Sequence, residues 1–288
     1  MIRLAIFLLW LLHFLPLAAL ARIGAGAGLL FMALDTKRRN NVRTNLRLCF
    51  PGLDEAARGR LLREHFKAFG RGILEHGFGF WSSARRLRRI VRLEGLEHWD
   101  AVRGRPVILL APHFVGLDIG GIRYSMDYQG VSIYSRARNP AVDELLLRSR
   151  IRFGNSRLWR REEGLRPLVK SLREGIAFYY LPDQDMGGKD SLFVPFFGVP
   201  ASTITAMPRL AKLAGARVVP LVTRQLPGGE GYVARFYPAW EGYPTGDLEA
   251  DVRRMNAFIE ERVLEMPEQY WWLHRRFKTR PPGEPSPY

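Results

Sequence analysis

Residues 107–121 read VILLAPHFVGLDIGG, and the rest of the chain can be arranged around them. Positions 107–111 are a short, wholly apolar, β-prone run, the pattern of a strand buried on both faces. Pro112 ends the run, His113 follows at once, and Asp118 comes five residues later, before Gly120 and Gly121. In an open α/β sheet, ligands gather just past the C-terminal ends of strands. A His placed there can serve as a base near neutral pH, and a carboxylate can hold its tautomer and stabilise its charged form. Five residues of regular helix would turn the two side chains away from each other. They meet only if His113 sits in the turn and Asp118 lies one turn inside the following helix. A plainer reading of the same residues is a His capping a helix and an Asp favoured in the first turn by the dipole.

Outward from this stretch the chain alternates. Residues 131–134 and 176–181 have strand character, as do 216–222, while 140–153, 164–174, 202–213 and 248–264 have helical periodicity. Residues 232–237 read as an antiparallel strand, and 90–94 as an edge strand followed by a short helix to Arg103. Residues 182–201 read as a loop. Such alternation predicts an α/β fold: a mostly parallel sheet covered by helices. Upstream, Asp54 can cap a helix reaching about Trp81, with Leu62, Phe66 and Phe69 on one side. Residues 37–51, KRRNNVRTNLRLCFP, carry an apolar stripe of Val42, Leu46 and Cys49 between Arg and Asn faces.

The first thirty-four residues are mostly apolar, interrupted by Arg3, His13, Pro16 and Arg22, and are followed by Lys37, Arg38, Arg39 and Arg43. A cleaved signal peptide, an uncleaved anchor and a buried helix all fit such a run. The favoured reading is an anchor over 1–35 with a cytoplasmic body, because cations follow the run. Gly24 and Gly28, four apart, suit close helix packing. A catalytic domain over 36–280 and a Pro-rich, disordered tail over 281–288 complete the expected organisation. The single cysteine, Cys49, excludes an internal disulfide and a cysteine-based metal site. A formal net charge of +16 points to an anionic partner such as lipid phosphate, an acidic protein or nucleic acid.

Polar residues cluster after several strands, which would collect them on one edge of the sheet. They are His113 and Asp118; Arg136, Arg138 and Asn139; and Asp183, Gln184 and Asp185. Arginines between 148 and 161, ending at Arg161, form a candidate anion surface, with a solvated helix face as the simpler reading. Asp183 and Asp185 could bind a divalent ion, but in a Gly-rich stretch they suit a turn better, so no metal is expected. Residues 191–200, SLFVPFFGVP, are unusually apolar for a loop and suit an acyl chain or a membrane. Residues 269–281, QYWWLHRRFKTRP, mix aromatics with cations, as do membrane interfaces and nucleic-acid-stacking surfaces.

Taken in order, RRNNVRTNLRLCFP, His113-x4-Asp118, Arg138-Asn139-Pro140, the run from Leu181 to Thr203 (LPDQDMGGKDSLFVPFFGVPAST) and QYWWLHRRFKTRP resemble the late acyltransferases of lipid A biosynthesis, the lauroyl/myristoyltransferase family. The resemblance covers nearly the whole chain. It implies a glycerolipid-acyltransferase-like fold, a place on the cytoplasmic face of the bacterial inner membrane, and no cofactor. It also implies acyl transfer from an acyl carrier protein thioester to a hydroxyl of a Kdo-bearing lipid A precursor. By position, His113 would be the general base and Asp118 its orienting partner, with Arg136, Arg138, Asn139, Arg161, Asp183 and Asp185 near substrate. The family often has Tyr-Arg-Pro where this chain has Tyr134-Ser135-Arg136, which leaves the substrate contact open between Arg136 and Arg138. No Ser nucleophile elbow is present, so direct transfer without an acyl-enzyme is expected. The competing readings are an acyltransferase for another glycolipid or aminoacyl lipid, and a membrane-tethered nucleic-acid-binding protein. The second leaves the polar crevice and the Phe-rich run without a purpose, so no nucleic acid is expected.

Overall fold

The computed structural model describes residues 2–288 except Arg138, 161–163 and Lys189. At its centre is a seven-stranded sheet: β1 (Val91–Glu94), β2 (Val107–Leu110), β3 (Gly130–Tyr134), β4 (Ser156–Arg160), β5 (Ala177–Tyr180), β8 (Arg217–Gln225) and β9 (Tyr232–Phe236). Their spatial order is β1-β9-β8-β2-β5-β3-β4. The five strands from β8 to β4 run parallel. β9 pairs antiparallel with β8, and β1 parallel with β9. This is the expected mostly parallel α/β sheet. Strand β2 lies in its middle with all four side chains fully buried. Ile108 and Leu110 enter one core and Val107 and Leu109 the other, because neighbouring side chains on a strand point to opposite faces.

Helices cover both faces. α7 (Leu117–Ser125) packs on one, through Ile119 and Ile122. On the other lie α3 (Thr36–Cys49), α9 (Arg166–Arg173), α10 (Ala206–Ala214) and α11 (Leu248–Glu265). The long α4 (Glu55–Trp81) reaches both cores, through Phe66 and Phe78, and starts where Asp54 accepts the N–H of Ala57.

Two strands occupy the segment read as a loop and helix start. β6 (Ser191–Phe196) and β7 (Val199–Ile204) form an antiparallel hairpin. Its two-residue turn, Phe197-Gly198, has both φ angles positive, +51° and +75°. Phe is an unfavourable residue there, so the sequence carries no turn signature; the Phe197 N–H is held by Glu260. The apolar character of this stretch is core packing in large part. Phe196 is buried over Tyr270 and Phe277, and Phe197 meets Phe50, while Phe193 is exposed. Arg276, itself buried, donates to the Ser202 carbonyl and Thr203 Oγ1, which clamps the hairpin to the C-terminal segment. Strand β4, SRLWR, was hidden inside the basic run read as a helix face; it is the sheet's edge, where Arg157 and Arg160 are exposed.

At the N-terminus, α1 (Ile2–Leu12) and α2 (Leu17–Leu34) are separated by a turn at Pro16. α2 runs antiparallel along α4. A Cβ on Gly28 would fall 1.9 Å from the Phe66 carbonyl oxygen, and one on Gly70 2.2 Å from that of Gly24. Glycine is therefore required for the helices to approach this closely. Among the described residues, α2 is the one helix long and apolar enough to cross a membrane. In the tail, expected to be disordered, the Tyr288 hydroxyl accepts the Phe277 N–H and donates to Asn45.

Candidate active site

Strands β5 and β3 are paired only over Gly130↔Ala177 and Val131↔Phe178. Beyond that point β5 stays with β2, β3 stays with β4, and the sheet parts. A cavity of about 750 Å³ opens in the gap. Ser132–Ser135 form one wall and Tyr179–Pro182 the other, with His113 and Asp118 at the polar end. Ile122, Val131, Leu158, Phe178, Leu210 and Leu213 line its apolar part. This is the strand-end crevice where open parallel sheets bind ligands.

His113 lies in the turn between β2 and α7, as expected, but its carboxylate partner is a different one. Its Nδ1 stands 2.7 Å from Asp183 Oδ1, and its backbone N–H donates to Asp183 Oδ2 at 2.9 Å. Asp183 arrives from the end of β5, the strand beside β2, and is almost fully buried. Burial pushes its carboxyl up, but the His113 charge and the hydrogen bonds from His113 outweigh that and hold it below the usual range. With Nδ1–H given to Asp183, the lone pair of Nε2 is left to act as a base.

Asp118, expected to orient His113, is engaged elsewhere. α7 begins at Leu117, so Asp118 sits in its first turn, not one turn inside it. Its Oδ1 accepts from Arg150 Nη2 at 2.7 Å and Nε at 3.1 Å, and its Oδ2 lies 3.2 Å from His76 Nε2. Burial opposes the charge on Asp118, yet Arg150 and His76 drive its carboxyl far below the usual range. For His76, burial works against the charged form, but the bond to Asp118 and its charge prevail and raise the imidazole. Nδ1 of His76 is anchored on the Gly72 carbonyl at 2.7 Å. The polar end of the cavity thus holds an imidazole with its own carboxylate, beside a cation–carboxylate–imidazole set.

His76 and Arg150 were not singled out by sequence. His76 is 42 residues from Asp118 on an ordinary amphipathic helix, and nothing local marks it. Arg150 belongs to the basic run and is turned inward because α8 (Pro140–Ile151) packs beside α7.

The other expected substrate residues fare differently. Asn139 caps α8, its Oδ1 accepting the N–H groups of Ala141 and Val142. Asp185 is fully buried and holds the N–H and hydroxyl of Thr279 and the N–H of Gly187. Both therefore serve the scaffold: a carboxylate in a Gly-rich turn finds backbone donors before it finds a ligand. Arg136 is exposed in the turn after β3, next to Ser135 of the cavity wall. Arg138 and Arg161 lie outside the described residues. His274 accepts the Asp185 N–H at 3.0 Å; burial first, then the nearby His113 charge, pull its imidazole down to about 4. Among the described residues no group of three or more His, Cys, Asp or Glu is arranged to hold a metal ion.

A family profile described as "Bacterial lipid A biosynthesis acyltransferase" matches residues 1–279. Among characterised proteins, the lipid A biosynthesis lauroyltransferase of Escherichia coli (strain K12) is 37% identical over 288 residues, covering 99% of this chain and 94% of that one. The palmitoleoyltransferase of the same organism is 33% identical over 283 residues, covering 97% and 92%. Its myristoyltransferase is 34% identical over 272 residues, covering 93% and 83%. A profile spanning nearly the whole chain, on a fold whose sheet opens onto an apolar cavity with a histidine at its polar end, places this protein in the bacterial lipid A biosynthesis acyltransferase family.

Proposed function

We propose that the enzyme moves a fatty acyl chain from an acyl carrier protein thioester to a hydroxyl of a Kdo-bearing lipid A precursor, with His113 as general base and Asp183 as its orienting partner. The observation that carries this reading is the His113–Asp183 pair at the polar end of a cavity whose remaining wall is largely apolar. A sugar-linked hydroxyl is a poor nucleophile at neutral pH. His113 Nε2 takes its proton as the oxygen attacks the thioester carbonyl carbon. The tetrahedral adduct collapses, the C–S bond breaks, and the departing sulfur receives the proton from the imidazolium. Asp183 steadies that imidazolium and keeps Nε2 aimed at the cavity. Arg150, held by Asp118, lines the same cavity as His113; it suits the negative charge that develops on the carbonyl oxygen, or a phosphate of the acceptor. The apolar stretch between β3 and α10 accommodates the acyl chain, and the names of the relatives, lauroyl-, palmitoleoyl- and myristoyltransferase, favour saturated or monounsaturated chains of that class.

The charge of the chain supports both partners. A formal +16 favours encounter with an acidic carrier protein and with a bilayer rich in anionic phosphates. The proposed place of work is the cytoplasmic face of the inner membrane, where carrier-bound acyl chains are available to a lipid acceptor. The decisive experiment incubates purified enzyme with acyl carrier proteins loaded with C10 to C16 chains and a tetraacylated, Kdo-bearing acceptor, and weighs the products. One added acyl group per acceptor is expected, with His113→Ala inactive but folded. Full activity in that variant would remove the mechanism; product only with another glycolipid acceptor would replace the substrate.

A further inference from the structure

The apolar N-terminus is the stretch whose placement the sequence leaves open. By length and composition α2 could cross a bilayer. α1, eleven residues long, spans only about 16 Å against the ~30 Å of a hydrocarbon core. The structure fastens both ends of α2 to the same body. In the turn between α1 and α2, the carbonyl oxygens of His13 and Leu15 accept from Arg86 at 2.7 and 2.9 Å. Arg86 belongs to α5 (Ala84–Ile90), the helix that leads into sheet strand β1. Just beyond, Gly229 of the β8–β9 turn packs so tightly on Ala18 that a Cβ would lie 2.6 Å from the Ala18 Cα. At the other end, Arg39 of core helix α3 donates to the Met32 carbonyl at 3.3 Å. Between these ties α2 lies along α4 at the glycine contacts described above.

A crossing would pull this whole arrangement into hydrocarbon. The stretch of α4 alongside α2 carries Arg63 and Glu64, both exposed, and the partly exposed Lys67. Each charge at mid-bilayer costs about 2.5–3.5 kcal/mol or more. The alternative is to leave α4 in water and give lipid only the outer faces of α1 and α2. Those faces are built for it. Leu4 is 62% exposed, Phe7 51%, Phe14 60%, Ile23 46% and Leu30 60%. Such a display is unusual for a surface in water. Arg3 and Arg22 on the same two helices, and Lys37 and Arg38 in the first turn of α3, are exposed as well. Apolar side chains flanked by cations are the pattern of helices lying in an anionic interface.

We propose that α1 and α2 lie in the plane of an anionic lipid leaflet, immersing their exposed apolar side chains, with both ends of the segment on the same side of the membrane as the catalytic body. The proposal rests on the reading that the enzyme works at a membrane. It also accounts for where the site lies. His76 of α4 points at Asp118, while the next residue, Gly77, is packed against Leu9 of α1 and His13 of the turn that follows it. One helix thus separates the leaflet face from the reacting groups, a short path for a lipid acceptor that never leaves its monolayer.

The test uses the full chain carrying epitope tags on flexible linkers at both termini, expressed in a Gram-negative bacterium. Protease is added to spheroplasts and, separately, to inside-out inner-membrane vesicles. Both tags are expected to survive in spheroplasts and to be cut in inside-out vesicles. Cleavage of the N-terminal tag in spheroplasts would overturn the proposal. A second arm sediments the purified chain with vesicles of phosphatidylglycerol or of phosphatidylcholine. Binding is expected to favour phosphatidylglycerol and to fall at least tenfold in a Phe7→Glu/Phe14→Glu/Leu30→Glu variant. Equal sedimentation of variant and parent, or none with either vesicle, would overturn the proposal. Acyl transfer to detergent-dispersed acceptor is measured in parallel. If the parent chain lacks that activity the functional reading fails, whereas the topology arms still decide the placement.

Discussion

A single carboxylate, Asp183, holds His113 twice: it accepts the imidazole Nδ1–H and, through its other oxygen, the backbone N–H of the same residue. Seventy residues separate the two in the chain. They meet because β2 and β5 are neighbours in register, so the first residues past both strand ends face each other. The double grip fixes ring orientation and backbone together, which is what the proposed general base needs.

Asp183→Asn is expected to lower kcat by about 10²–10⁴ while leaving KM for the lipid acceptor little changed. An amide cannot accept at both positions; its NH2 group would confront either the His113 N–H or Nδ1–H. Steady-state acyl transfer checks this. Unchanged kcat would show that the carboxylate does not orient the base.

Asp118→Asn should lower the pKa of His76 below the ordinary value of 6.5. In the parent, burial disfavours the imidazolium, and the bond to Asp118 and its charge, with a lesser push from the Gly72 carbonyl, reverse the sign. With the charge gone, burial and the neighbouring Arg150 act together against protonation. Titration of the His76 ring protons by NMR in parent and variant reads the shift. The His113 ring, tied to Asp183, should keep its contacts in that variant.

Two glycines of α2 should respond in opposite senses. A Cβ at Gly28 meets the Phe66 carbonyl at 1.9 Å, so Gly28→Ala forces the helices apart and should cost about 1–3 kcal/mol. Gly26, on the open side of the same helix, has nothing within 4 Å of a Cβ; Gly26→Ala should be neutral or stabilising by up to about 1 kcal/mol. Thermal denaturation in detergent compares the two.

Stability should fall as pH drops from about 6.5 toward 4, before the carboxylates titrate. Burial pulls both His65 and His274 down to about 4, each remaining neutral in the fold. In this window the unfolded chain takes up protons that the folded one refuses, so unfolding gains. Each group contributes a slope of at most about 1.4 kcal/mol per pH unit. His65→Gln should flatten the curve of unfolding free energy against pH by the share of that ring. Asp183 acts lower: its depressed carboxyl stabilises above the unfolded value near 3.9, and that contribution is lost as pH falls through the folded value.

Much of this molecule was legible in one dimension. The buried strand of residues 107–111, the helix capped by Asp54, the antiparallel strand after β8 and the alternation between them follow from local periodicity and local chemistry, which nearby residues settle among themselves. The hairpin after Asp185 was not legible. Its turn carries Phe where a short hairpin usually has Asn or Gly, and a side chain far along the chain, Glu260, holds the turn in place. Strand β4 was hidden because at a sheet edge its arginines look like those of a solvated helix.

The sequence by itself determined the alternation that makes an α/β sheet, the position of His113 at a strand end, the basic charge and the family to which the chain belongs. The tertiary structure decided which acid serves that histidine, drew His76 and Arg150 onto Asp118, and fastened α2 to the body at both ends. Those are matters of strand order and helix packing. Residues tens of positions apart become neighbours only when the sheet closes, and no periodicity or spacing along the chain records which of several carboxylates will then lie within 3 Å.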